Sequence, residues 1–310
     1  MEIILRILIM AFLIAAGIVC CKAKIITNEV SRGLSDIALK IATPALLISS
    51  FQREPQPEEM KRLGYAAILA VLAILLSAVI GYLAVRRGKD QPGDDNGRLS
   101  IERFSAIYSN CAFMGIPLIN GIYGEEGVFY LTAFYAVFNI AVWTHGVVMI
   151  KGDTGIRQVM KALSSPALIG IVIGLVLFFF GITLPDFIKQ TLDYSGAMTT
   201  PLGMLVAGAA IAQSNLAAAL KKVRIYWVSA LRLIIIPLAT IGFFKLLPYD
   251  ELAMGITVAA SACPSAAICT MFAVSYNKDS LYAGELFAVS TMLSAVTLPL
   301  IMQIMKLANG

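Results

Sequence analysis

Apolar runs long enough to cross a bilayer recur from one end of the chain to the other, and short charged patches separate them. About 20 apolar residues cross roughly 30 Å of hydrocarbon as a helix. A helix is the form in which such a run satisfies its own backbone N–H and C=O groups where lipid offers no partner. Only 14% of the residues are charged and the mean hydropathy is +0.82, whereas a soluble domain carries about 25% charge. The chain therefore reads as an all-α membrane protein. Little sequence is left outside the bilayer for a soluble catalytic domain, and neither G-x-S-x-G nor H-E-x-x-H occurs, so no enzyme is expected.

Ten spans are expected, at 3–21, 33–51, 63–85, 101–121, 125–150, 166–184, 194–213, 225–247, 252–275 and 281–306. The first is read as a retained helix and not a signal peptide, because Glu2 offsets Arg6 and no A-x-A site follows. The net charge of +5 is spread over loops instead of forming a stripe, which speaks against nucleic acid as a partner. Cys20, Cys21, Cys111, Cys263 and Cys269 all fall in apolar runs without C-x-x-C spacing, so packing is expected, with no disulfide, metal or cofactor.

Two spans are interrupted near their middles: Tyr108 to Pro117 reads YSNCAFMGIP, and Ser261 to Ala266 reads SACPSA. Such a break is tolerated only where the freed backbone packs in protein or lines a cavity. Matched breaks in two halves point to a transporter's central binding site. The halves echo each other, since Ile41–Pro44 (IATP) resembles Met198–Pro201 (MTTP) at an offset of 157 residues. Ser109–Cys111 resembles Ser261–Cys263 at an offset of 152. The basic linkers 86–97 and 151–165 divide the chain, leaving repeats at 1–150 and 166–310. Five spans per repeat force the second copy to insert upside down. Lys and Arg number 15 in the odd-numbered connections and 7 on the other face, which predicts odd connections in the cytoplasm and both termini outside the cell membrane.

Proline suits a first helical turn because its missing N–H would be unpaired there anyway. Pro117 and Pro264 accordingly read as starts of second half-helices, whose free amides and positive dipole ends attract anions. Ser109, Asn110, Ser261 and Ser265 could add neutral hydrogen bonds, Gly115 permits close backbone approach, and Cys263 sits in the same stretch. Neither break holds Asp or Glu, so the paired carboxylates of a sodium/proton antiporter are missing. Among ionisable residues inside spans, Asp36 and Lys40 are four apart and can pair, or Asp36 could carry a coupled proton. Arg232 could attract the anion or pair with a carboxylate, and Glu285 could pair with a cation or line a vestibule. Asn139 is helix glue or cavity lining. His145, the one histidine, reads as an interfacial hydrogen-bonded residue or a pH sensor. Phe104, Tyr108, Phe113, Tyr123, Phe129, Tyr130, Phe134 and Tyr135 could wall a pocket or serve as packing.

The residues from Asn110 to Trp143 (NCAFMGIPL…YAVFNIAVW) carry a resemblance that extends over nearly the whole chain. Supporting it are Pro44 with its threonine, Leu231-Arg232-Leu233…Pro237 and Ser290-Thr291…Thr297-Leu298-Pro299. The sequence resembles the auxin efflux carrier family, which includes plant PIN proteins and bacterial malonate and malate carriers. The resemblance implies a fold like that of bile-acid sodium symporters, with helices 4 and 9 broken and crossing. It implies a scaffold of 1–60 plus 166–213 that often dimerises, and a mobile transport domain of 61–150 plus 225–310. An asparagine on each crossing helix borders the substrate carboxylate in PIN proteins; Asn110 matches the first, and nothing here matches the second. The function expected is a secondary transporter of small organic anions, auxin-like or malonate/malate-like, moving by an elevator motion. A non-transporting membrane ligand sensor and a sodium-coupled anion symporter are the alternatives, with a proton or sodium ion as the candidate coupling partner.

Overall fold

The computed structural model describes residues 2–86, 97–152, 164–214, 219–248 and 250–309, and every regular element among them is helical. The first half contains α1 (Glu2–Lys22), α2 (Asn28–Ile37), α3 (Thr43–Ser50), α4 (Pro57–Ala84), α5 (Arg98–Ile107), α6 (Ile116–Ala141) and α7 (Val147–Lys151). The second contains α8 (Pro166–Phe179), α9 (Asp186–Ala197), α10 (Thr199–Gln213), α11 (Val223–Ala230), α12 (Ile236–Phe244), α13 (Glu251–Ala262), α14 (Ile268–Ser275) and α15 (Ser280–Asn309). Six helical stretches are long and apolar enough to cross a membrane, and three shorter apolar helices accompany them. Most of the two basic linkers lies outside the described residues.

Helix starts follow their capping chemistry. Thr27, Ser165 and Asp250 each accept a backbone N–H from three residues ahead, satisfying a donor that has no intrahelical partner. Pro166 follows at the first helical position, where its missing donor costs nothing.

Four π-helical turns, Ala38–Ala42, Cys111–Gly115, Val142–Gly146 and Leu231–Ile235, widen otherwise α-helical segments. Three of them end just before an X-Pro step, at Pro44, Pro117 and Pro237. A proline ring inside a helix collides with the carbonyl four residues back, and a widened turn relieves that collision while keeping the helix apolar-packed. Proline therefore bends these spans without ending them.

The stretch Cys111–Lys151 holds 41 residues. Straight, it would be about 60 Å long, twice the hydrocarbon thickness. Gly124 resolves the excess: its φ of 64° and ψ of −156° interrupt α6, a conformation open to glycine because it has no Cβ. The chain turns there, between the expected fourth and fifth spans.

Glycines bring helix backbones into contact, the usual device where lipid removes the hydrophobic drive for association. A Cβ on Gly208 of α10 would lie 2.1 Å from the Ile14 carbonyl oxygen of α1, and one on Gly17 would lie 2.4 Å from that of Leu205. Gly170 of α8 and Gly196 of α9 similarly abut Pro44 and Leu46 of α3. On the other side of the molecule α4, α6 and α13 pack together, and α15 lies along α11 and α14.

Candidate functional site

The two interrupted segments meet. Ser109 and Ser265 form an isolated antiparallel bridge, with Asn110 N–H donating to the Pro264 carbonyl at 2.7 Å and Ala266 N–H to the Tyr108 carbonyl at 3.0 Å. Each break thus supplies partners for the other's unpaired backbone, which is what makes both tolerable at membrane depth. Ser265 fastens the joint further, donating its hydroxyl to the Ser105 carbonyl and its backbone N–H to Ser290 Oγ.

The prolines sit differently from their expected places. The second half of the first broken span begins at Cys111, six residues before Pro117, and that of the second begins at Ile268, four residues after Pro264. Pro264 lies in the extended crossing strand after Cys263 (φ −61°, ψ 151°), the conformation that a following proline favours. Its role is to present a carbonyl to Asn110. Pro117 belongs to the helix proper, carried by the π turn before it.

On one side of the crossing lies a cavity of about 290 Å³. Both new helix starts open into it, through Asn110 and Ala112 on one segment and Ala266, Ala267 and Ile268 on the other. The amides of Cys111, Ala112, Phe113, Ala267 and Ile268 precede the first hydrogen bonds within their helices, made by Met114 and Cys269. Asn110 is 3% exposed, and its Nδ2 has no hydrogen-bond partner among the described residues. Phe113, Tyr135, Phe138, Trp143 and Met271 form apolar walls. Asp36 and Lys40, paired at 2.9 Å and well exposed, line it together with Ser164 and Ser165 at the start of α8. Asn139 also lines the cavity, while its Nδ2 donates back to the Tyr135 carbonyl at 2.9 Å.

The remaining sequence-predicted residues hold the joint or face its other side. Cys263 packs against Gly115, whose added Cβ would lie 3.5 Å from the sulfur. Ser109 and Ser261 border a space of about 10 Å³ shared with Arg232. Arg232 is 1% exposed and pairs with no carboxylate among the described residues. Its Nη1 donates to the carbonyls of Ala106 (3.1 Å) and Ile107 (2.8 Å), at the C-terminal end of α5. Glu285 pairs with Lys222.

Sequence reasoning missed Glu102, which is fully buried and accepts from Arg224 and from the Tyr282 hydroxyl. Nothing in its neighbourhood in sequence marks it, because both partners come from the other half of the chain. Of the eight aromatic residues considered, Phe113 and Tyr135 reach the cavity, and Phe138 and Trp143 join them from further along. His145 bridges Tyr108 and Tyr82. The Tyr108 hydroxyl lies 2.7 Å from Nδ1 and also reaches the Ala141 carbonyl at 3.0 Å, and the Tyr82 hydroxyl lies 3.0 Å from Nε2.

A multi-span helical protein with two broken helices joined at their interruptions belongs to the architectural class of membrane transporters. The chain belongs to the membrane transport protein family, matched over residues 2–302, which is the auxin efflux carrier family that its motifs resemble. Membership makes it a transport protein and not an enzyme. An uncharacterized transporter of Methanothermobacter thermautotrophicus is 27% identical over 309 residues, covering 96% of each chain. An uncharacterized transporter of Methanocaldococcus jannaschii is 23% identical over 300 residues, covering 92% of this chain and 93% of its own.

Proposed function

We propose that this transporter is a secondary carrier of small organic anions, with a carboxylate held where the two half-helices begin. The observation that carries the reading is that the starts of two half-helices, one of them at Asn110 with its unpartnered Nδ2, line one largely apolar cavity. Helix starts favour negative charge, and a buried donor without a partner costs about 1–3 kcal/mol until a ligand supplies one. Neutral donors on an apolar wall bind an anion firmly enough to select it and release it again. The cavity size suits a mono- or dicarboxylate of few atoms.

In this reading the ten expected spans form two inverted repeats. The glycine-locked helices α1, α3, α8, α9 and α10 are the scaffold, which pairs with a second copy. The segments around the crossing are the transport domain, which moves as an elevator. The charge asymmetry of the connections puts the Asp36–Lys40 end of the cavity toward the cytoplasm and the termini outside the cell membrane. A unit charge crossing 100 mV is worth about 2.3 kcal/mol, so an uncoupled anion leaves an inside-negative cell, and uptake requires a coupled proton or sodium ion. The test is counterflow in proteoliposomes loaded with acetate, benzoate, malonate or malate. Exchange of a labelled carboxylate against its own gradient supports the carrier. Saturable binding without exchange would make the protein a sensor.

A further inference from the structure

Broken helices that cross leave two kinds of ends. The two starts face the large cavity, while the ends of α5 and α13 lie on the other side of the joint, where Arg232 sits. Each helix end carries about half a unit charge, positive at the start and negative at the finish. Two finishing ends therefore sum to about one negative charge in a medium that cannot solvate it.

Arg232 is placed to meet that charge. It lies in the π turn Leu231–Ile235, which carries it in a helix packed against both α5 and α13. Nη1 takes the last carbonyls of α5, and the space beside it is lined by Ser109 and by Ser261 of the last turn of α13. Its Nε and Nη2 have no partner among the described residues, and the titratable neighbours acting on it are the thiols of Cys263 and Cys111. A buried guanidinium without a carboxylate is stable where helix carbonyl ends serve as its counter-charge. One positive charge then balances the two finishing ends, and the two starting ends are left to face a ligand with about one negative charge.

We infer that Arg232 is a resident cation: it neutralises the helix ends behind the crossing, so that the anion site in front works without a co-bound metal ion or proton. The inference rests on reading the large cavity as an anion site, and it makes Arg232 a positioning residue that never touches the ligand. It also favours ligands of single negative charge over double.

The experiment uses the purified full chain, with benzoate and malonate as probes followed by thermal shift in sodium, potassium and choline media at two pH values. The wild type is expected to bind benzoate with one midpoint in all media, and more tightly than malonate. A unit charge removed about one helix diameter away changes an anion's affinity by about tenfold, so Arg232→Met should weaken benzoate by that factor. Arg232→Lys, which keeps the charge, should stay within about threefold. A purely structural arginine would lower the melting temperature of Arg232→Met and leave the midpoint where it was; that result overturns the inference, as does a wild type whose benzoate binding needs sodium. If neither probe binds the wild type, the anion reading fails for them. Guanidinium titrated into Arg232→Ala at millimolar concentration then decides separately. Saturable stabilisation that sodium does not reproduce supports the resident cation, and its absence refutes it.

Discussion

Replacing Asn110 by alanine separates the two things this residue does. Its backbone N–H holds the crossing through the Pro264 carbonyl, and that bond survives the substitution. Asn110 lines the cavity, and its Nδ2 is buried without a partner among the described residues. In the ligand-free protein the amide contributes no hydrogen bond from that nitrogen, and an unsatisfied buried donor costs about 1–3 kcal/mol. Alanine removes that penalty and loses some packing in return, so stability should change by no more than about 1 kcal/mol. With a carboxylate bound, the lost bond is one to a charged group, worth about 1.5–3 kcal/mol. That corresponds to roughly 10- to 150-fold in Kd. Thermal unfolding of the free protein and its midpoint shift with benzoate or malonate measure the two effects on one sample. Little change in the first and a large loss in the second are expected. Unchanged ligand affinity in a well-folded variant would refute the assignment, and a collapse of stability without ligand would show that the side chain holds the joint.

Three further outcomes test the frame around the site. Gly208→Leu should destabilise the α1–α10 contact by about 1–3 kcal/mol or more, because even a Cβ would lie 2.1 Å from the Ile14 oxygen; thermal unfolding in detergent checks it. Glu102→Ala should cost about 3 kcal/mol, since it strands Arg224 and the Tyr282 hydroxyl that now share a fully buried carboxylate; denaturation in mixed micelles reads the loss, and Glu102→Gln should recover part of it. Asp279 has its carboxyl held below the usual carboxylate value: burial pushes it up, but the Tyr282 N–H and the Arg98 guanidinium outweigh burial. The folded state thus binds this proton less tightly than the unfolded chain, so the stabilisation is present above pH 3.8 and is lost as the pH falls below it. Asp279→Asn should flatten that acid limb of the stability curve.

Much of the architecture is legible because lipid leaves a chain few choices. The apolar runs mark the helices, Pro and small polar residues mark both breaks, and the i, i+4 spacing of Asp36 and Lys40 gives their ion pair. What escapes the sequence is what one half contributes to the other. Pro117 and Pro264 look alike as helix starters, yet one rides within a helix behind a π turn and the other offers its carbonyl to Asn110. The difference depends on which segment lies across the break. Arg232, inside a span, suggests a bound anion or a carboxylate partner, whereas its partners are carbonyls at the end of α5, groups every residue possesses. Glu102 is invisible for the same reason, its cation lying 122 positions away. Asn110 was legible as a site candidate because an amide beside a proline-bearing break has few other uses. The walls contributed by Phe138, Trp143 and Met271 were not, since aromatic and thioether side chains fill membrane interiors everywhere.

The pocket itself is tested most directly by the position of a bound anion. A structure determined with bromobenzoate should show bromine density inside the cavity against Phe138, Trp143 and Met271, its carboxylate in hydrogen-bond reach of Asn110 Nδ2 and the amides at Cys111–Phe113 or Ala267–Ile268. Density confined to any other surface, with the two helix starts unliganded at saturating concentration, would contradict the account.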